Sequence, residues 1–110
     1  MKKIDLSELT DNGEIRNLTG HERGVQARGH YKLDELDAAE DEIVVVVPES
    51  VYTLTPSFFQ GMFAESVQNL GDSREKFLAR YKFEASPIIL RQVDRGIVNS
   101  QMRRGELLNS

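Results

Sequence analysis

The run Ile43-Val44-Val45-Val46-Val47 sets five β-branched residues in succession, with no polar residue to mark a wet face. Such side chains favour strands, and a strand without polar alternation is one covered on both sides. Pro48 ends it by withdrawing a backbone donor. A strand buried on both faces needs packed layers around it, so the chain is expected to form an α/β fold with parallel pairing at its centre.

The flanking segments supply the remaining elements. Ile4 and Leu6, with Ser7 to Leu9, read as a short first strand. Asp11-Asn12-Gly13 carries turn chemistry, because Asn-Gly tolerates positive φ at both positions of a type I′ turn. Glu14 to Leu18 then reads as a returning strand, giving an opening hairpin. Thr19 or Gly20 starts a helix, with Glu22 placed as in a capping box. Val25, Gly29, Lys32 or Leu33, and Leu36 recur along it at helical spacing. Gly24 and Gly29 each cost about 1 kcal/mol relative to alanine in a helix, a cost that close packing on the sheet would justify. The acidic cluster Asp34, Glu35, Asp37, Glu40, Asp41 and Glu42 reads as a solvated helix end and loop rather than a metal site.

Beyond the central strand, Val51 to Leu54 is a short extended lead into Thr55-Pro56-Ser57. Phe59, Met62, Phe63, Val67 and Leu70 then form one face of a helix, which Gly71-Asp72-Ser73 ends. Phe77, Ala79, Tyr81 and Phe83 alternate with Leu78, Arg80, Lys82 and Glu84, the pattern of a half-buried strand near an edge. Ser86-Pro87 opens a last helix. Its apolar face is Ile89, Leu90, Val93, Ile97, Val98 and Met102, with Gly105 closing it and the following residues fraying. The expected order is β, β, α, β, α, β, α, in a single domain over residues 1–110.

Composition narrows the function. A chain of 110 residues with 39% hydrophobic and 29% charged residues suits one soluble core rather than a disordered segment. A net charge of −4 argues against nonspecific nucleic-acid binding, which needs a basic face. With no cysteine, disulfides, thiolate metal sites and cysteine nucleophiles are excluded. The opening MKKIDLSELTDNG lacks the apolar stretch of a signal peptide, and no run approaches the ~20 apolar residues of a membrane helix. A cytoplasmic location follows as the expectation. His21 and His30 fall on nearly opposite sides of their helix and make no metal pair. The Gly20 to Gly29 region lacks the Gly-Lys-Ser/Thr ending of a phosphate-binding loop. No cofactor is expected.

The hydroxyls at the Thr55-Pro56-Ser57 junction have two readings. Capping accounts for Thr55 and Pro56: proline suits the first helical position, and threonine before it can accept bonds from free amides. The same holds for Ser86-Pro87. Ser57 lies inside the first turn, where capping does not require it. It also follows the carboxyl end of a strand, the edge where open α/β sheets bind ligands, and a helix amino-terminus favours anions. Arg28 is a candidate anion or partner contact, and Phe58 a candidate interface anchor beside Phe59, which fits the core face.

The stretch Val51-Tyr52-Thr53-Leu54-Thr55-Pro56-Ser57-Phe58-Phe59, with Thr19-Gly20 and Ala27-Arg28 upstream, resembles the STAS-like domain family of bacterial proteins. These are relatives in fold of sulfate-transporter and anti-sigma-factor-antagonist domains. The likeness in element order spans nearly the whole chain, with its specific part at the junction. It implies a four- to five-stranded mixed sheet with about three helices on one side. It also implies a regulatory role in which the domain docks on a protein partner, often a histidine-kinase-like ATPase. Antagonist domains carry Asp-Ser-Ser-Gly at this turn, with the first serine phosphorylated. Here those positions hold Thr55, Pro56, Ser57 and Phe58, so the usual acceptor is a proline, leaving Thr55 or Ser57 as the candidate phosphoacceptor.

Three functions are therefore carried forward. The first is a non-catalytic regulatory module that docks a protein partner through Thr55, Ser57, Phe58 and Arg28. The second is a small anion- or nucleotide-binding protein or enzyme using the same helix mouth. The third is self-association, as a homodimer, through the strand expected at Phe77 to Phe83.

Overall fold

The computed structural model of the protein describes the chain over residues 2–109, with side-chain surroundings through residue 101. The elements are β1 (Lys2–Asp5), a 3₁₀ turn (Leu6–Leu9), β2 (Asn17–Leu18), α1 (His21–His30), α2 (Leu33–Ala38) and β3 (Ile43–Val46). They continue with β4 (Thr53–Leu54), α3 (Pro56–Asn69), α4 (Arg74–Arg80), β5 (Tyr81–Glu84) and α5 (Pro87–Asn109). The fold is α/β, as expected, with five α-helices among the described residues instead of about three. The single mixed sheet of four to five strands that was expected does not form: among the described residues every strand pair is parallel, one sheet has the order β1-β3-β5, and β2 pairs with β4 apart from it.

The β-branched run is the central strand, with Val45 opposite both Ile4 and Phe83. It is not covered equally on its two faces. Ile43, Val45 and Val47 are buried, whereas Val44 and Val46 are only half-buried. An unbroken valine run marks a strand well, but it hides which face is the drier one.

No opening hairpin forms. After β1, the Asp5 carboxylate accepts the Ser7 amide at 2.9 Å and starts the 3₁₀ turn, which carries Leu6 into the core. That bond holds the Asp5 carboxyl below its usual range, helped by the Ser7 hydroxyl. The turn residues Asp11, Asn12 and Gly13 do adopt positive φ, at 49°, 58° and 90°. A hairpin needs a strand on each side of such a turn, and here the chain before it is helical.

The first helix also differs. Gly20, at φ 91°, occupies the cap position with no side-chain bond, so Thr19 does not cap. Lys32 in the left-handed conformation (φ 55°) divides the expected helix into α1 and α2. Val25 is exposed, and Ala27 is buried in its place. Gly24 does serve close packing, against α3 and not the sheet. A β-carbon there would meet the Phe58 carbonyl oxygen at 2.2 Å, and one on Gly61 would meet the His21 oxygen at 2.1 Å. The two glycines let α1 and α3 cross backbone to backbone. Gly29 has open space instead.

The expected strand at Phe77 to Glu84 is largely helix. Ser73 caps α4 by accepting the Lys76 amide at 3.3 Å, and Arg-Glu-Lys-Phe-Leu-Ala-Arg is rich in helix formers. Only Tyr81–Glu84 is extended. Phe77 and Tyr81 stand four residues apart, a spacing that points inward in either conformation, and their rings stack at 5.1 Å. Phe59 and Phe63 close the cluster edge-on to Phe77, at 6.0 and 5.8 Å.

The last helix starts as expected, with the Ser86 hydroxyl accepting the Ile89 amide at 3.3 Å. Ile89, Val93 and Ile97 are buried, while Leu90 and Val98 are exposed. Gly96 meets the Phe59 ring. The helix continues through Gly105 to Asn109, so that glycine does not end it. The side chain of Met102 lies outside the described residues. No helix among the described residues is long and apolar enough to cross a membrane.

Candidate functional site

The junction is built on the small sheet, not at the tip of the valine strand. Asn17 stands opposite Thr53 and Leu18 opposite Leu54. The Tyr52 amide donates to the Arg16 carbonyl at 2.8 Å, and the Thr55 amide to the Leu18 carbonyl at 3.0 Å. On the other edge of β4 the Leu54 amide donates to Gln92 Oε1 of α5, at 2.6 Å. A glutamine side chain thus substitutes for a neighbouring strand. Nothing in the local sequence flags Gln92, because its role depends on where α5 comes to rest.

Thr55 is extended (φ −73°, ψ 155°), and its hydroxyl accepts the Phe58 amide at 3.3 Å, with Pro56 in the first turn. Capping is therefore its structural work. Ser57 is exposed, and its Oγ lies 3.2 Å from Thr55 Oγ1. Ser57 is solvent-exposed at the mouth of a helix whose body is locked into the core, whereas Thr55 is half-buried and its hydroxyl also reaches the Leu18 carbonyl at 3.5 Å. Among the described residues no histidine, carboxylate or lysine bonds to either, so no base is positioned to activate them.

Because β2 and β4 are parallel and in register, α1 and α3 begin side by side. In the first turn of α3 Pro56 has no amide hydrogen and the Phe58 amide is taken by Thr55, which leaves the Ser57 amide beside the first-turn amides of α1, and a helix amino-terminus favours negative charge.

The other two expected site residues lie elsewhere. Phe58 is only 1% exposed, so its ring belongs to the core and cannot anchor an interface. The exposed aromatic beside the turn is Tyr52, at 60%, with the Arg16 guanidinium 5.4 Å from its ring centre. Arg28 is buried, and its donors are spoken for. Nη1 donates to the Met62 carbonyl at 2.9 Å and to Ser66 Oγ at 2.8 Å, and Nη2 to Asp34 at 2.6 Å and Asp37 at 2.8 Å. Arg28 therefore holds α1, α2 and α3 together and is not open to a phosphate at the helix mouth.

Asp37 is the centre of this buried network, against the expectation of a solvated acidic cluster. Its side chain is 3% exposed, whereas that of Asp34 is 78% exposed. It accepts bonds from Tyr81 (2.5 Å), Arg28, Ser66 (2.9 Å) and Asn69 (3.1 Å). Burial alone would raise its pKa, but these donors together hold it below the usual carboxylate range. Tyr81 is pushed up by burial and by its bond to Asp37. Burial lowers the affinity of Arg28 for its proton, and Asp37 and Asp34 more than restore it. Arg80 completes the clamp by donating to the carbonyls of Leu36, Asp37 and Ala39 that end α2, and to Asp41. No cluster among the described residues could hold a metal ion.

A scan against protein-family models, a search of curated proteins and a search of solved structures each find no match to this chain.

Proposed function

We propose that this chain is a non-catalytic, STAS-like regulatory module of the cytoplasm that docks a partner protein through the Thr55-Pro56-Ser57 turn. One observation carries the reading: the exposed Ser57 hydroxyl stands 3.2 Å from that of Thr55, on a helix fixed in the core. Groups held rigidly lose little freedom on docking. Tyr52 supplies the exposed aromatic anchor that Phe58 does not. If the partner is a histidine-kinase-like ATPase, Ser57 is the better acceptor, since Thr55 Oγ1 already caps Phe58. Ser57 Oγ would bond to the γ-phosphorus of the partner's ATP as the bond to the β,γ-bridging oxygen breaks, ADP leaving, with the hydroxyl proton passing to a base supplied by the partner. The test is co-purification of partners from the source cell with wild type and Ser57→Trp, thermal melts serving to show that both are folded. Loss of a partner is expected, and retention of every partner at the wild-type level refutes this surface.

A second reading, anion or nucleotide binding at the same mouth, is favoured by the side-by-side amino-termini of α1 and α3. It predicts that phosphate or ATP shifts the His21 and Ser57 amide resonances together. Unmoved resonances at saturating ligand remove it.

A further inference from the structure

The last helix is set apart from the rest of the chain by charge. From Pro87 onward the sequence carries four arginines against Asp94 and Glu106, whereas Met1 to Ser86 carries 10 basic and 16 acidic residues. The net charge of −4 thus divides into +2 and −6. Asp94 is taken by Arg74 of α4, at 2.6 Å. Opposite the buried Ile89, Val93 and Ile97, an outward stripe of Ile88, Arg91, Arg95 and Val98 follows at helical spacing, and all four are exposed. Arg91 donates to the Pro87 carbonyl of its own helix at 3.4 Å, and neither arginine has a carboxylate partner among the described residues.

The opposite charge gathers between the start of α2 and β3, where Asp34, Glu35, Glu40, Asp41 and Glu42 are all exposed. Among the described residues Asp34 alone of these forms an ion pair, with Arg28. The basic neighbours leave the others unneutralised: Lys2 and Lys32 form no ion pair, and Arg80 donates to backbone oxygens there. Within one molecule, no hydrogen bond or ion pair among the described residues joins this segment to α5. Two surfaces of opposite sign therefore stay unsatisfied on the same chain.

We propose that the occupant of the outer α5 face is a second copy of this chain, whose acidic segment at Glu40, Asp41 and Glu42 meets Arg91 and Arg95. Two α5 stripes face to face repel, as do two acidic segments, so it is the unlike faces that meet. The planar fork of arginine matches a carboxylate by two parallel bonds. Ile88 and Val98, at the two ends of the stripe, exclude water from the pairs between them. Exposed ion pairs contribute little each, so the association is weak, grows with concentration and fades with salt. It involves neither the Thr55-Ser57 turn nor the β5 border, and stands whether or not that turn docks a partner.

The test is sedimentation velocity of the full chain from micromolar to millimolar concentration, with circular-dichroism melts to show that each variant is folded. Wild type is expected to associate as its concentration rises at ~0.1 M salt and to dissociate at ~1 M, where the Debye length falls from ~10 to ~3 Å. Two charge-reversed proteins are then compared, one with Arg91→Glu and Arg95→Glu, the other with Glu40→Lys and Glu42→Lys. Each alone should be monomeric, its dissociation constant raised by more than about tenfold, since a like-charge face replaces an unlike one. An equimolar mixture should associate again, because each protein then offers the face that the other lacks. A wild type still monomeric at millimolar concentration overturns the proposal, as does association that salt does not weaken. A mixture that stays monomeric overturns it too. So does either reversed protein associating like wild type, which places the self-contact elsewhere, such as the β5 border.

Discussion

Replacing Gly61 with alanine tests the α1–α3 crossing directly. The added β-carbon would stand 2.1 Å from the His21 carbonyl oxygen and 2.9 Å from the Val25 nitrogen, below the 3.0 Å that real β-carbons respect. Both neighbours are backbone, so no rotamer change relieves the clash, and the helices must part by about 1 Å. Overpacking of a core contact costs up to about 3 kcal/mol. Alanine recovers about 1 kcal/mol of helix propensity, leaving a net loss of about 2 kcal/mol. In a domain of this size that corresponds to roughly 10 °C in the melting midpoint. Gly29→Ala supplies the contrast within the same helix pair, because nothing lies within 4 Å of its added carbon. It should stabilise by about 0.5 kcal/mol or more. Circular-dichroism melts and urea titrations of the three proteins measure both effects. A Gly61→Ala protein as stable as wild type would refute the close crossing, as would equal losses in the two variants.

Further outcomes follow from the capping and buried polar contacts. Thr55→Ala should cost about 1 kcal/mol by freeing the Phe58 amide, read by urea titration, with Ser57→Ala near neutral. Gln92→Leu should cost about 1 kcal/mol or more, since the Leu54 amide loses its acceptor, and amide exchange at Leu54 should quicken. Asp37 is held below its ordinary value in the folded chain. Its contribution is complete above roughly pH 4 and disappears as the pH falls through the lower folded value. Asp37→Asn should therefore flatten the acid limb of stability measured against pH. Tyr81 is shifted upward, so its contribution is complete below roughly pH 10 and is lost as the pH rises through the folded value. Tyr81→Phe should flatten the alkaline limb instead.

The elements legible in the sequence were those with a local cause. Ser86 before Pro87 and Thr55 before Pro56 state their helix starts in two residues, and both cap as read. The valine run states its strand. What stayed hidden depends on partners distant in the chain. Phe77 and Tyr81 satisfy a strand and a helix equally, and the decision came from Ser73 and the helix-forming residues after it. Asn12-Gly13 makes its turn, but the pairing of β1 with β3 decides where the strands go. At the candidate site, the exposure of Ser57 agrees with its place beyond the cap. The burial of Arg28 and Asp37 does not show in a charged, Gly-interrupted segment, since it needs Ser66, Asn69 and Tyr81 brought from elsewhere.

The three-stranded sheet leaves β1 and β5 with open sides, each able in principle to recruit another extended chain. Lys2 and Lys3 on one border, and Lys82 and Glu84 on the other, are all solvent-facing. Ionic side chains spaced along so short a ribbon disfavour strand addition from a neighbouring molecule. The borders therefore act as guards against fibrillar growth, and chains with valine at Lys3 and Lys82 should aggregate sooner on partial unfolding than the parent sequence.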